Sequence, residues 1–176
     1  RDFVLRFQQL TGPVMARGLE DTAFYVYNRL LSLNEVGGDP THFGVSREDF
    51  HRQNVFHAKR WPATFITGAT HDTKRSEDAR MRLNVLSEMP ADWQTMIAQW
   101  SLANKKHKVL VRGSLEPEPN TEYLIYQTLL GVWPDGAPQT AAKFQERLWT
   151  YLRKAIREAK TQTDWPRPNL DYEEAV

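Results

Sequence analysis

A single β-branched run, Ala63-Thr64-Phe65-Ile66-Thr67, stands in a sequence otherwise patterned for helices. It is the best strand candidate in the chain. A lone strand leaves its backbone N–H and C=O groups without partners. The run is therefore expected to belong to a sheet whose other strands lie outside this chain, or to pair with a partner. The fold class that follows is mainly α, with about one short strand near 63–67.

Helical periodicity accounts for the rest. Phe3, Val4, Phe7, Leu10 and Val14 recur at helical spacing, with a kink or new start expected at Gly12-Pro13 and an end at Gly18. A second helix is expected from about Glu20 to Leu33, burying Ala23, Tyr27, Leu30 and Leu31. Gly37-Gly38-Asp39-Pro40 reads as a loop. Ser46 with Asp49 opens a third helix in the manner of a capping box, and Trp61-Pro62 stops it. Ser76 caps a fourth and Pro90 begins a fifth. Lys105 to Pro119 reads as mostly loop, Asn120 as the cap of a sixth helix, and Trp133-Pro134-Asp135-Gly136 as a turn. A long amphipathic helix is expected over about Gln139 to Lys160, burying Phe144, Leu148, Tyr151, Leu152, Ala155, Ile156 and Ala159.

The chain starts inside an apolar-periodic segment and stops at Tyr172-Glu173-Glu174-Ala175-Val176, which looks like a helix just begun. A piece of a longer protein is expected. Lys plus Arg number 23 and Asp plus Glu 22, a balance that offers no overall pull on nucleic acid. The one basic run, Lys105-Lys106-His107-Lys108, reads as a solvated loop. No apolar run approaches the roughly 18 residues of a membrane span. Without cysteine there is neither a disulfide framework nor a thiolate metal site, so a cytoplasmic location is expected.

Three polar clusters are candidates for chemistry. Thr70-His71-Asp72-Thr73-Lys74-Arg75 directly follows the expected strand, and catalytic groups of barrel enzymes sit where strands end. The plain alternative is a helix-capping loop with surface ion pairs. Arg17-Gly18-Leu19-Glu20-Asp21 precedes Phe24-Tyr25, and its acids equally suit a helix N-terminus. Asn34-Glu35-Val36-Gly37-Gly38 reads most simply as a turn. His42, His51, His57, His71 and His107 lack tight metal-ligand spacing.

Taken together these clusters resemble the maltooligosyl trehalose synthases, a branch of the α-amylase superfamily (glycoside hydrolase family 13). The resemblance is carried by residues 12–25 (GPVMARGLEDTAFY), 28–40 (NRLLSLNEVGGDP), 70–78 (THDTKRSED) and 122–130 (EYLIYQTLL), in the right order along nearly the whole chain. Two positions depart from the family pattern. Arg17 stands where Lys is expected, which keeps the charge but changes its donor geometry. Val26 stands where Arg is expected, which removes a charge.

The resemblance implies the helical region of an amylase-like (β/α)8 barrel enzyme. Residues 1–60 would be a helical segment with a Gly-rich loop. Residues 61–89 would be a late barrel strand, the His-Asp loop and its helix, and residues 90–176 a C-terminal helical segment. It also implies an isomerase that converts the reducing-end α-1,4 bond of a maltooligosaccharide to α,α-1,1 by intramolecular transglycosylation. Retaining chemistry of this kind uses a nucleophile and an acid/base about 5–5.5 Å apart, and neither of the family's motifs for them is in this chain. Asp72 matches the third carboxylate, which stabilises the transition state. His71, Lys74, Arg75, Arg17, Glu20, Asp21 and Tyr25 would bind substrate. No metal or organic cofactor is implied. The expected partners are a maltooligosaccharide or glucan and the remainder of the synthase chain, with no nucleic acid and no membrane.

Two other classes bear on the same residues. A metal-dependent phosphohydrolase of the HD type would use His51 or His57 with His71-Asp72. A helical interaction module would have no site of its own.

Overall fold

The computed structural model describes residues 1–134 and 141–176. As expected, the chain is mainly helical. α1 (Asp2–Met15) runs directly into a π-helical stretch, Ala16–Ala23, and on into α2 (Phe24–Val26). Gly12-Pro13 lies inside α1 and Gly18 inside the π stretch, so neither starts nor ends a helix. The Thr22 hydroxyl donates to the Arg17 carbonyl at 2.9 Å within this wider winding. π turns are rare and concentrate at functional sites, and this one carries Arg17, Glu20 and Asp21.

The helix expected to reach Leu33 ends at Val26. Tertiary hydrogen bonds replace the helical ones beyond it. Asn34 Nδ2 donates to the carbonyls of Phe24 and Tyr27, both at 2.8 Å. Gln127, fully buried on α6 (Pro119–Val132), accepts from Leu31 N at 2.9 Å and donates to Asn28 O at 2.7 Å. One short 3₁₀ turn remains at Leu31–Leu33. Gln127→Leu would strand two buried backbone groups at a cost of about 2–4 kcal/mol. The expected result is a lower urea midpoint; an unchanged midpoint would show that the bridge carries no stability.

α3 (Arg47–Arg60) begins as expected, with Ser46 Oγ accepting from Asp49 N at 3.0 Å, and ends at Trp61. Residues 63–67 then form no strand: they have no ladder partner, and Phe65 and Ile66 are wholly exposed. The β-branched pattern is present, but nothing among the described residues supplies the second strand.

Ser76 caps α4 (Glu77–Asn84), and Pro90 opens α5 (Pro90–Asn104). The strands that do form lie in the stretch expected as loop. β1 (Val109–Val111) pairs antiparallel with β2 (Ser114–Glu116). Arg112 and Gly113, at φ 50° and 91°, make the two-residue turn that suits strand twist. Lys108, expected in a solvated run, instead inserts its ammonium between Glu122 Oε2, at 2.8 Å, and the Pro117 carbonyl. α6 is capped at Glu118 rather than Asn120, with Pro119 in its first turn. The turn expected over Trp133–Gly136 and the start of the long helix at Gln139 fall partly outside the described residues. α7 (Ala141–Ala159) buries Leu152, Ala155 and Ile156 of the expected stripe. α8 (Leu170–Ala175) is capped by Asn169.

One core gathers Tyr25, Leu30, Leu31, Leu83, Leu86, Trp93, Leu124, Tyr126 and Ala155. α6 lies at its centre, against α4, α5 and α7. α1 and α3 have no buried residue. Among their apolar side chains, Phe3, Phe7, Phe50 and Phe56 stand at least half exposed. No helix among the described residues is long and apolar enough to cross a membrane.

Candidate functional site

The three polar clusters, far apart in sequence, meet on one side of this core. Asp21 Oδ1 bonds the Lys74 ammonium at 3.0 Å, and its Oδ2 bonds the Arg17 guanidinium at 2.7 Å. Glu20 Oε1 accepts from Gly37 N at 3.2 Å. The Glu35 carboxylate accepts from Lys74 N at 2.9 Å and Arg75 N at 3.3 Å. Each cluster thus touches the other two or is tied to them through one residue.

The electrostatics follow from these contacts. Burial raises the Asp21 pKa, but the hydrogen bond and charge of Lys74, helped by Arg17, outweigh it and hold the carboxyl below its usual range. Tyr25 is pushed up to about 12, chiefly by burial, with Tyr151 adding to the effect and Arg75 opposing it. Its phenol therefore stays protonated near neutrality and can only exchange hydrogen bonds. Asp39 is lowered to about 2 by the hydroxyl and N–H of Thr41 and by His42, which close the Gly-rich loop.

His71 and Asp72 sit on the tip of a short turn. Thr73 Oγ1 accepts from Thr70 N at 2.6 Å, and Thr70 Oγ1 accepts from Asp72 N at 3.3 Å. Both tip side chains are exposed and bond to none of the described residues. Upstream, the Arg80 guanidinium bonds the Gly68 carbonyl. Downstream, Arg75 reaches inward to Leu31 O at 3.3 Å and Tyr151 OH at 2.8 Å. Lys74 turns to Asp21 and is only 10% exposed. Arg17 keeps most of its side chain in the open, at 81%. Tyr25 is buried, within electrostatic reach of Tyr151 and Arg75.

Sequence reading missed two members of this arrangement. Glu35 had the look of a turn residue, although an acid just ahead of Gly-Gly was a usable signal. Tyr151 read only as one position of an apolar stripe. Among the described residues no three His, Asp or Glu side chains gather at metal-binding range, so the ligand set of an HD-type phosphohydrolase does not assemble there.

No protein-family model matches the chain. A Mycobacterium tuberculosis protein named as a maltooligosyl trehalose synthase is 42% identical over 172 residues, which is 98% of this chain and 21% of that protein. Among solved structures, a hypothetical maltooligosyl trehalose synthase of Sulfolobus tokodaii aligns at TM-score 0.83 and 37% identity, covering 98% of this chain and 22% of that one. The maltooligosyltrehalose synthase of Arthrobacter ramosus aligns at TM-score 0.81 and 40% identity, covering 98% and 20%. The chain spans about a fifth of the length of the relatives it matches. Over nearly its whole length, then, this chain is homologous to one segment of the maltooligosyl trehalose synthases.

Proposed function

We propose that this chain works as the helical segment of a maltooligosyl trehalose synthase and supplies one of its three catalytic carboxylates, Asp72. The observation that carries the reading is the convergence of the three motifs through Asp21–Lys74 and Glu35–Lys74/Arg75, which leaves His71 and Asp72 as the free side chains at the tip. The substrate class is a maltooligosaccharide or glucan, the superfamily that of the α-amylases, and the setting the cytoplasm.

In this reading the residues divide by what their atoms are free to do. Asp72 accepts hydrogen bonds from hydroxyls of the sugar at the reacting bond. Such bonds tighten as the ring distorts toward an oxocarbenium-like transition state, and only interactions that strengthen there raise the rate. His71 takes a neighbouring hydroxyl, and Arg17 offers an exposed guanidinium on the same side. Lys74, Arg75, Glu20 and Asp21 act from behind, because their polar groups are engaged by the protein itself, and Tyr25 does so because it is buried. The nucleophile and the acid/base come from the rest of the synthase. The reaction moves the reducing-end glucose from an α-1,4 to an α,α-1,1 linkage within one molecule, and water must be kept out because hydrolysis competes.

The isolated chain is expected to be inactive, since two of three carboxylates are outside it. Incubation with maltopentaose and an assay of reducing ends tests this. Turnover comparable to that of an intact synthase would overturn the reading.

A further inference from the structure

We infer that Glu35 is a positioning residue for Asp72, holding the His71-Asp72 turn in place through the backbone N–H groups of Lys74 and Arg75. The inference rests on Asp72 as a carboxylate that meets the sugar.

Asp72 has no side-chain partner among the described residues to fix it. Thr70 and Thr73 set the shape of its turn, but they move with it. Something else must set where the turn sits. Glu35 does so at the nearest backbone. Lys74 N lies 2.9 and 3.2 Å from its two oxygens, and Arg75 N lies 3.3 Å from Oε2. Val36 N, at 2.8 Å, holds Oε1 from the other side. A carboxylate has about four lone-pair sites, so three amide donors use most of them. Hydrogen bonds to an ionised acceptor are stronger and shorter than neutral ones. The charge of Glu35 is spent on these amides, because the Lys74 ammonium goes to Asp21.

Glu35 is itself anchored. Its neighbour Asn34 is buried and clamps the carbonyls of Phe24 and Tyr27. The glycine pair after it has a matching purpose. Gly37 adopts φ +75°, and a Cβ on Gly38 would lie 2.9 Å from Glu35 O and 3.1 Å from Leu33 O. Only a bare backbone folds back this tightly, and Gly38 N then closes onto Glu35 O at 2.8 Å. The Asn34–Gly38 loop therefore runs as a rigid bracket from the end of α2 to the base of the catalytic turn.

The test uses a full-length synthase carrying this segment, with Glu35→Gln, Asp72→Asn and the double variant. Gln presents an amide NH₂ where an oxygen faced an N–H, so the bracket loosens. A displacement near 1 Å costs about 100-fold in rate. The expected result is a kcat lowered by about that much in Glu35→Gln, with KM within about threefold of wild type. In the Asp72→Asn background, Glu35→Gln should cost nothing further, because a residue acting only through Asp72 has nothing left to act on. A purely structural role would add its cost in both backgrounds, and that result would overturn the inference. So would a Glu35→Gln enzyme with wild-type kcat while Asp72→Asn is inactive. If Asp72→Asn itself keeps its activity, the role of Asp72 falls and takes this one with it. Should Glu35→Gln fail to fold by circular dichroism, Glu35→Asp, charged but one methylene short, enters the same cycle with the same expected non-additivity.

Discussion

Asp72→Asn in a full-length synthase carrying this segment is expected to lower kcat by about two to three orders of magnitude, the usual cost of deleting one preorganised polar group at a developing charge. The substitution is nearly isosteric. It removes the charge and leaves one acceptor oxygen. The side chain makes no hydrogen bond to the described residues, so this segment loses no side-chain bond in the variant. The far-ultraviolet circular dichroism and the urea midpoint should match wild type. That separation matters: most polar substitutions mix stability with activity, and this one does not. KM should change little, since the lost hydrogen bonds strengthen mainly in the transition state. A well-folded Asp72→Asn enzyme that retains most of its turnover would reduce Asp72 to a surface turn residue.

The adjacent acids Glu20 and Asp21 are expected to respond very unequally. Asp21→Asn takes away the counter-charge of Lys74, whose side chain is only 10% exposed, while Asp21 itself is 27% exposed. The expected loss is about 2 kcal/mol. That value lies between the ~0–1 kcal/mol of an exposed pair and the ~3–5 kcal/mol of a buried pair broken on one side. Lys74 directly follows the His71-Asp72 turn, so under the proposed role of Asp72 activity should fall by at least about tenfold as the turn shifts. Glu20→Gln keeps its acceptor oxygen for Gly37 N and should behave almost as wild type. Urea midpoints and kcat of the two variants check this, and equal effects would show that the Asp21–Lys74 pair has no special weight.

The same pair also gives a pH dependence. The folded pKa of Asp21 is depressed. Its contribution is therefore complete above the ordinary carboxylate range and is lost as pH falls through the folded value below it. Asp21→Asn should flatten that acid limb of the stability profile relative to wild type.

Much of this arrangement was legible in the chain itself because it depends on neighbours in sequence. Ser46 and Ser76 cap the helices they precede, since capping needs only a hydroxyl and an N–H three residues on. Pro90 opens α5 for a similarly local reason. The stripe of α7 buries its centre at Leu152, Ala155 and Ile156, because helical spacing alone puts them on one face. Long, specific motifs carried the resemblance to the synthases.

Tertiary contact decided the rest. The helix after Glu20 stops at Val26 because Asn34 and Gln127, the latter 99 residues beyond Asn28, capture the carbonyls a longer helix would have used. No local propensity encodes that competition. The hairpin at Val109–Glu116 forms where charge and turn residues suggested loop, because Arg112 accepts a positive φ and Lys108 finds a buried partner in Glu122. Residues 63–67 have every local mark of a strand and remain unpaired, since a strand is a property of two segments and no second segment pairs with them among the described residues. The site follows the same division. The residue types of its three clusters can be read in order along the sequence. That Glu35 meets the backbone N–H of Lys74, and Asp21 its ammonium, is a matter of distances that only folding brings to about 3 Å.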